Sequence, residues 1–335
     1  MSSSTKDKCP NILLICTIAA RSNQLMPFHS DDENAAYAHL SSLCTEAGMN
    51  LYISHFDNLC AGSFVLSWIY KAGSWQTKEL PISEVSLSYA DLPQNFPNAN
   101  ALRDKLIENE VKIFNDLELS DCLTDKVATY KMFPELIPPT FDTTNPDILS
   151  SLRKTAAHRD LNIEKLFLKP RFGERGKGID VIDIAALSSE HVSNKHEYVV
   201  QALLESDAGV PELNIQGRHD LRMLVCNGEV IQLFVRIPAP DSYISNYASG
   251  GKILHFDVNR LPRKFHDVAM KIDETLRQYG PRLYSVDAGV GRSGKIWLYE
   301  LNTMPGIVWE SENAPDQSRY KRVHKAVVEM LKTAL

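Results

Sequence analysis

Toward the C-terminal end, two apolar runs, Leu283-Tyr-Ser-Val-Asp287 and Ile296-Trp-Leu-Tyr-Glu300-Leu-Asn302, flank a Gly-rich link from Gly289 to Gly294. Runs of this length around such a link read as a β-hairpin. Alternate side chains of a strand share a face, so Glu300 and Asn302 point the same way, and Asp287 can reach that face from the partner strand. Two carboxylates and an amide oxygen are hard ligands, suited to a divalent cation carrying phosphates. Carboxylates at sheet ends also cap loops or pair with arginine. Here, however, Trp297 and Tyr299 have the opposite parity to Glu300, which leaves the polar residues a face of their own. Phosphate chemistry is the expectation.

A chain of 335 residues predicts two or three domains rather than one core. A net charge of -6 argues against a surface that coats nucleic acid. No apolar run is as long as a membrane span, and Met1 to Lys8 lacks the apolar segment of a secretory signal. The six cysteines, Cys9, Cys16, Cys44, Cys60, Cys122 and Cys226, form no CxxC pair. Their scatter predicts a reduced, cytoplasmic setting without a structural zinc.

Along the chain, Asn11 to Cys16 is a buried-strand pattern, Asp32 to Ala47 a helix closed by Gly48, and Met49 to His55 the next strand. This rhythm predicts an α/β domain with a parallel sheet over residues 1–120. Trp68 to Tyr89 is ambiguous, with Ser86 to Ala90 as a candidate strand, and Asp91 to Asn98 reads as a loop. Ala101 to Asn109 is helical and Val111 to Asn115 is a strand. Past the boundary, Thr124 is placed as the cap of a helix through Tyr130. Leu149 to Arg159 is another helix, and strands follow at Leu166–Pro170, Ile179–Asp183 and Tyr198–Leu203. Asp220–Cys226 and Glu229–Ile237 form a hairpin about Asn227-Gly228. Phe265, Val268, Ala269, Ile272 and Leu276 stripe one face of a helix.

The loop Lys169-Pro-Arg-Phe-Gly-Glu-Arg-Gly-Lys-Gly178 holds Gly173, Gly176 and Gly178. Glycines let backbone N–H groups approach an anion, and Lys169 at the strand end can supply a point charge to a phosphate oxygen. The order is neither a P-loop nor a dinucleotide fingerprint, and an exposed basic hairpin is an equal reading of this segment alone. Arg222 and Arg236 fall on adjacent strands; Asp220 shares the parity of Arg222 and is placed to orient or neutralise it. Asn246 and Gly250-Gly251 lie in a Ser/Tyr/Gly-rich loop suited to closing over a ligand. The histidines show no ligand spacing, and no nucleophile–base arrangement can be picked out.

In their order these pieces resemble the ATP-grasp superfamily, nearest to its RimK-like and glutathione-synthetase-like ligases. The matching residues are Thr124-Asp-Lys126, Phe167 to Ile179, Val200 to Glu205, Asp220-Leu-Arg222, Arg236, Asn246 with Gly250-Gly251, Asp287, and Glu300 to Gly306. The resemblance implies an N-terminal α/β domain (1–120), an ATP-binding small subdomain (121–205) and a metal-bearing C-terminal subdomain (206–335). It implies that Lys126 and Lys169 contact the ATP phosphates under a loop containing Gly173, Gly176 and Gly178. Gln201, Ala202, Leu203 and Leu204 would line the adenine, with Glu205 as a nucleotide-orienting acid. Arg222, Arg236, Lys169 and Asn246 would act on the transferred phosphate and the acyl phosphate. Asp287, Glu300 and Asn302 would hold magnesium, or manganese in its place.

The activity implied is ATP-dependent joining of a carboxylate, on a small molecule or peptide, to an amine. No nucleic acid or membrane is involved, and a homo-oligomer is compatible. Four alternatives stand beside it: another ATP-grasp phosphoryl transfer, a small-metabolite ligase, a catalytically silent nucleotide-binding regulator, and a structural α/β protein whose acids and arginines merely pair. The stretch Glu205 to Arg218 is longer than the link in RimK-like members, and reads as a lid, a substrate-specific insert or a peptide-docking surface.

Overall fold

The computed structural model describes residues 9–21, 24–90, 92–173, 178–188, 197–239, 251–308 and 314–335. The chain divides into two compact units, one of residues 1–120, 277–283 and 304–335, the other of residues 121–276 and 284–303. The C-terminal segment 304–335, grouped by sequence with the metal-bearing hairpin, falls instead in the first unit.

In the first unit, strands β1 (Asn11–Ile15), β2 (Asn50–Ser54), β6 (Val85–Ala90) and β7 (Lys112–Phe114) pair in parallel, in the order β2-β1-β6-β7. β1 is buried at every position, as a strand covered on both faces must be. The expected parallel sheet is mixed, because β3 (Leu59–Cys60), β4 (Phe64–Lys71) and β5 (Ser74–Pro81) extend it antiparallel beyond β2. Helices α1 (Asp31–Glu46) and α2 (Pro97–Glu108) belong here, the second starting with a proline in its first turn, inside the segment read as loop. Leu13, Ile15, Tyr52, Leu80, Leu102 and Leu106 make the core.

Helix α3 (Leu117–Thr124) ends at Thr124, which is therefore not a cap; Asp125 caps α4 (Lys126–Met132), accepting from Val127 N at 2.9 Å. Within the second unit a four-stranded sheet runs β10-β9-β11-β8, from β8 (Thr140–Asp142), β9 (Lys165–Pro170), β10 (Asp180–Asp183) and β11 (Tyr198–Ala202). Leu152 of helix α5 (Ile148–His158) packs with Leu166, Leu168, Val200 and Ala202 beneath it. A five-stranded sheet follows in the order β14-β13-β12-β15-β16, from β12 (Asp220–Cys226), β13 (Glu229–Ile237), β14 (Lys252–Phe256), β15 (Leu283–Val290) and β16 (Ile296–Asn302). Leu221, Met223, Leu233 and Val235 are fully buried on the face opposite to Asp220, Arg222 and Arg236. Helix α6 (Arg263–Leu276) buries Phe265, Ala269, Ile272 and Leu276, and its Asp273 accepts from Tyr284 Oη at 3.1 Å. No described helix is long and apolar enough to cross a membrane.

Candidate active site

Two β-bulges set the site. Between β12 and β13, Asn227 and Gly228 take positive φ (48° and 88°) and turn the chain, and pairing begins Cys226↔Glu229 and Val225↔Val230. The register then shifts, and Leu224 pairs with Gln232, leaving Ile231 unmatched. Asp220 consequently faces Arg236 across the ladder. On β15 and β16 a second shift leaves Tyr299 unmatched and puts Asp287 opposite Glu300, with Ser285 opposite Asn302. Each bulge changes the parity of the residues beyond it, so both functional faces depend on one extra residue.

The pairing expected from parity, Asp220 with Arg222, is replaced by a cross-strand one. Arg222 grips Asp287, with Nε 2.5 Å from Oδ1 and Nη2 2.5 Å from Oδ2. Arg236 Nη2 donates to both Asp220 Oδ2 and Asp287 Oδ2, each at 2.5 Å. Asp287 is 2% exposed and Asp220 9%. Burial alone would raise the pKa of Asp287, but the two guanidinium groups outweigh it and hold it below the usual carboxylate range. Asp220 goes the other way: burial, only partly offset by Arg236 and reinforced by the charge of Asp287, pushes it up to about 7. Asp220 Oδ1, Arg236 Nε and Ser285 Oγ are buried with no hydrogen-bond partner among the described residues.

One lysine comes from the smaller sheet and one from helix α4. Lys169 on β9 is 8% exposed and donates to Gln201 Oε1 at 2.7 Å. Burial and the neighbouring Lys126 charge pull it down to about 7, against the opposing pull of Glu300. Lys126, the first residue of α4, donates to Gly173 O at 2.8 Å, and its Nζ lies 3.9 Å from Glu300 Oε1. The acid of the hairpin and both lysines therefore act on one another.

Arg171, which sequence reasoning passed over, fixes this geometry. Its Nε and Nη2 fork onto Asp125 at 2.8 and 2.5 Å, and Nη1 reaches Asp142 Oδ2 at 2.7 Å. It thus ties the capping residue of the Lys126 helix to the strand end that carries Lys169. Lys169 and Arg171 share a parity, which is the one sequence signal for it.

Gly173 and Gly178 frame the Gly-rich loop; Gly176 lies outside the described residues, as do Asn246 and Gly250. Gly178 has φ +70°, and a Cβ there would stand 3.0 Å from Tyr198 Oη and 3.2 Å from Pro170 Cγ, so glycine is required. At the end of β11, Gln201 turns its side chain to Lys169, and Ala202 and Leu203 are buried. Glu205 is held by Arg218 Nη2 at 3.2 Å and Arg292 Nη2 at 3.0 Å. The stretch beyond it is a folded loop with Val210, Leu213 and Ile215 buried. His219 anchors it: Nδ1 donates to Gly217 O at 2.9 Å, which leaves Nε2 to accept from Val290 N at 3.1 Å.

A divalent cation needs hard oxygens, and Asp287, Glu300 and Asn302 offer them on one face. Asp287 already satisfies two arginines, so it would serve a cation by sharing, while partly exposed Glu300 is the more open donor. Asp220, Asp287 and Glu300 face Arg222, Arg236, Lys126 and Lys169. A site with such nearly balanced charge accepts a polyanion together with its counter-cations more readily than either alone. The residues that could hold magnesium are Glu300 and Asn302, with Asp287 shared.

The family model of YheC/D like ATP-grasp proteins matches residues 184–332. No curated protein sequence matches the chain. Among solved structures, D-cycloserine synthetase DcsG is similar with a TM-score of 0.60 and 13% identity, over 96% of this chain and 99% of that one. A RiPP-associated ATP-grasp ligase of Chryseobacterium gregarium, in complex with ADP and a leader and core peptide, gives 0.60 and 16% over 97% of both. D-alanyl-alanine synthetase A of Vibrio cholerae gives 0.59 and 13% over 98% of both. At these identities the likeness is one of fold, and the fold is ATP-grasp.

Proposed function

We propose that this chain is an ATP-dependent ligase that activates a carboxylate as an acyl phosphate and joins it to an amine. The observation that carries the reading is the convergence of Lys126 and Lys169 with Glu300, on the hairpin where Asp287 is gripped by Arg222 and Arg236. Lysines and arginines on one side and hard carboxylates on the other are what a magnesium triphosphate and its transferring phosphoryl group require.

In this reading Lys126 and Lys169 hold phosphate oxygens, with Gly173 and Gly178 bounding the Gly-rich segment beside them. Gln201 to Leu204 border the base, and Glu205 reaches the nucleotide by exchanging one of its arginine partners. A substrate carboxylate oxygen attacks the γ-phosphorus, and the bond to the β–γ bridging oxygen breaks, leaving its electron pair on ADP. The amine then attacks the acyl carbon, loses a proton and expels phosphate. Arg222 and Arg236 neutralise the charge that develops on the transferred group. Magnesium held by Asp287, Glu300 and Asn302 would supply Lewis-acid polarisation of the phosphate oxygens.

The order of the motifs supports a RimK-like or glutathione-synthetase-like ligase, and the similar structure holding ADP with leader and core peptide supports a peptide as the carrier of a reacting group. A cytoplasmic, reduced setting agrees with six free cysteines. The test is a coupled ADP-release screen with magnesium, pairing amino acids, dipeptides, longer peptides and organic acids with amine acceptors. The proposal expects ADP and phosphate only when ATP, a carboxylate and an amine are all present. ADP released at the same rate without any carboxylate, or nucleotide bound but never turned over across the panel, contradicts it.

A further inference from the structure

Three buried side chains from three neighbouring strands form a directed relay that ends on Lys169. Lys169 Nζ donates to Gln201 Oε1 at 2.7 Å, Gln201 Nε2 donates to Thr140 Oγ1 at 2.8 Å, and Thr140 Oγ1 donates to Pro138 O at 2.8 Å. The sheet makes the row: Gln201 pairs with Thr140 across β11 and β8, and Lys169 pairs with Val199, two residues before Gln201 on the same face. Thr140 is 1% exposed and Gln201 4%, so water does not compete.

The direction of the relay comes from the chemistry of its far end. Pro138 O only accepts, and a hydroxyl has a single proton. Once that proton is given to the carbonyl, Thr140 Oγ1 offers Gln201 only lone pairs. The carboxamide must then turn its NH2 to Thr140 and its oxygen to Lys169. An ammonium has no lone pair, so an amide reversed at this position would set two donors against each other. The reversed amide would favour a neutral Lys169 swung away from it.

We propose that Thr140 is a positioning residue for the nucleotide phosphates: acting through Gln201, its hydroxyl fixes the amide orientation that holds Lys169 in place as a charged donor. The inference rests on the proposed nucleotide site. The charged groups that also act on Lys169 are Lys126 of α4 and Glu300 of β16, and the relay is the neutral contribution between them. Because burial and the Lys126 charge pull Lys169 down to about 7, a change in its partner falls where binding can report it.

The experiment is binding of a magnesium-loaded, non-hydrolysable ATP analogue to the full chain between about pH 6 and 9, the range spanning the Lys169 titration. Thr140→Val, which keeps the shape and removes the hydroxyl, is expected to weaken binding about tenfold at pH 7.5 and to lower the pH midpoint of binding by about one unit. Thr140→Ser is expected to restore both, which a purely packing role for the threonine methyl would not do. Thr140→Ala, which also removes the hydroxyl and leaves space rather than bulk, reads the same two quantities if Thr140→Val does not fold. Wild-type affinity and an unmoved midpoint in whichever of these two variants folds overturns the inference and leaves the nucleotide reading intact. Failure of the wild-type chain to bind the analogue at any pH overturns both.

Discussion

Arg222 and Asp287 meet as a fork, Nε on Oδ1 and Nη2 on Oδ2 at 2.5 Å each, on adjacent strands, with Asp287 almost wholly withdrawn from water and Arg222 mostly so. Arg236 reaches the same Oδ2, so one carboxylate neutralises parts of two guanidinium groups. Such a cluster is costly to bury and more costly to break.

Replacing Asp287 by alanine leaves two mostly buried guanidinium groups, of which Arg236 alone keeps an ion pair, with Asp220. The expected loss is about 3 kcal/mol or more of folding stability, the scale for unpairing a buried charge. Urea unfolding checks it; a loss below about 1 kcal/mol, the scale of an exposed pair, would mean the cluster is solvated.

Glu300 is partly exposed and closest to Lys126, at 3.9 Å, so its charge serves the site more than the fold. Glu300→Gln is expected to keep the thermal midpoint within about 3 °C, a sub-kcal change. Turnover in the ADP-release assay is expected to fall about 100-fold or more. Wild-type phosphate release at ordinary magnesium would remove Glu300 from the metal role.

Lys169 sits at about 7 in the folded chain, against about 10.4 for a free lysine in the unfolded one. Between those values the unfolded chain holds a proton that the folded chain has released, so this group makes folding stability rise with pH across that window. Phosphate oxygens restore the charged form, so nucleotide binding at pH 8 is expected to take up about one proton. Titration calorimetry in buffers of different ionisation enthalpy measures the uptake. Equal uptake by wild type and Lys169→Met contradicts the assignment.

Gly289 lies under Tyr299: a Cβ there would stand 2.4 Å from Tyr299 Oη and 2.5 Å from Ser206 Cβ. Gly289→Ala is expected to cost about 1–3 kcal/mol by overpacking beside the bulge. A thermal midpoint equal to wild type would show that Tyr299 moves aside freely.

That Glu300 and Asn302 share a face was legible because strand parity is a property of the backbone alone, and the two runs were unmistakably strands. Lys169 was legible as a strand-end lysine before a Gly-rich loop. The Asp220–Arg236 and Asp287–Glu300 pairings were not fully legible, because each depends on a bulge residue, Ile231 or Tyr299, that no local propensity marks. Arg171 and Thr140 escaped for a different reason. Their partners Asp125, Asp142 and Gln201 come from elements 29 to 61 residues away, so only the assembled sheet and helix show them. Strand β5 escaped because its residues Ser74 to Glu79 are nearly all polar and show no apolar alternation.

The central claim is that one magnesium triphosphate is gripped by Lys126, Lys169, Arg222 and Arg236 with its cations on Asp287, Glu300 and Asn302. A crystal structure of the chain with magnesium and a non-hydrolysable ATP analogue tests it most directly. The account predicts phosphate density within hydrogen-bonding distance of Lys169 Nζ and an arginine guanidinium, and cation density on the Glu300 carboxylate. Analogue bound elsewhere, with Lys169 still closed on Gln201 and the Glu300 carboxylate bearing no cation, would contradict it.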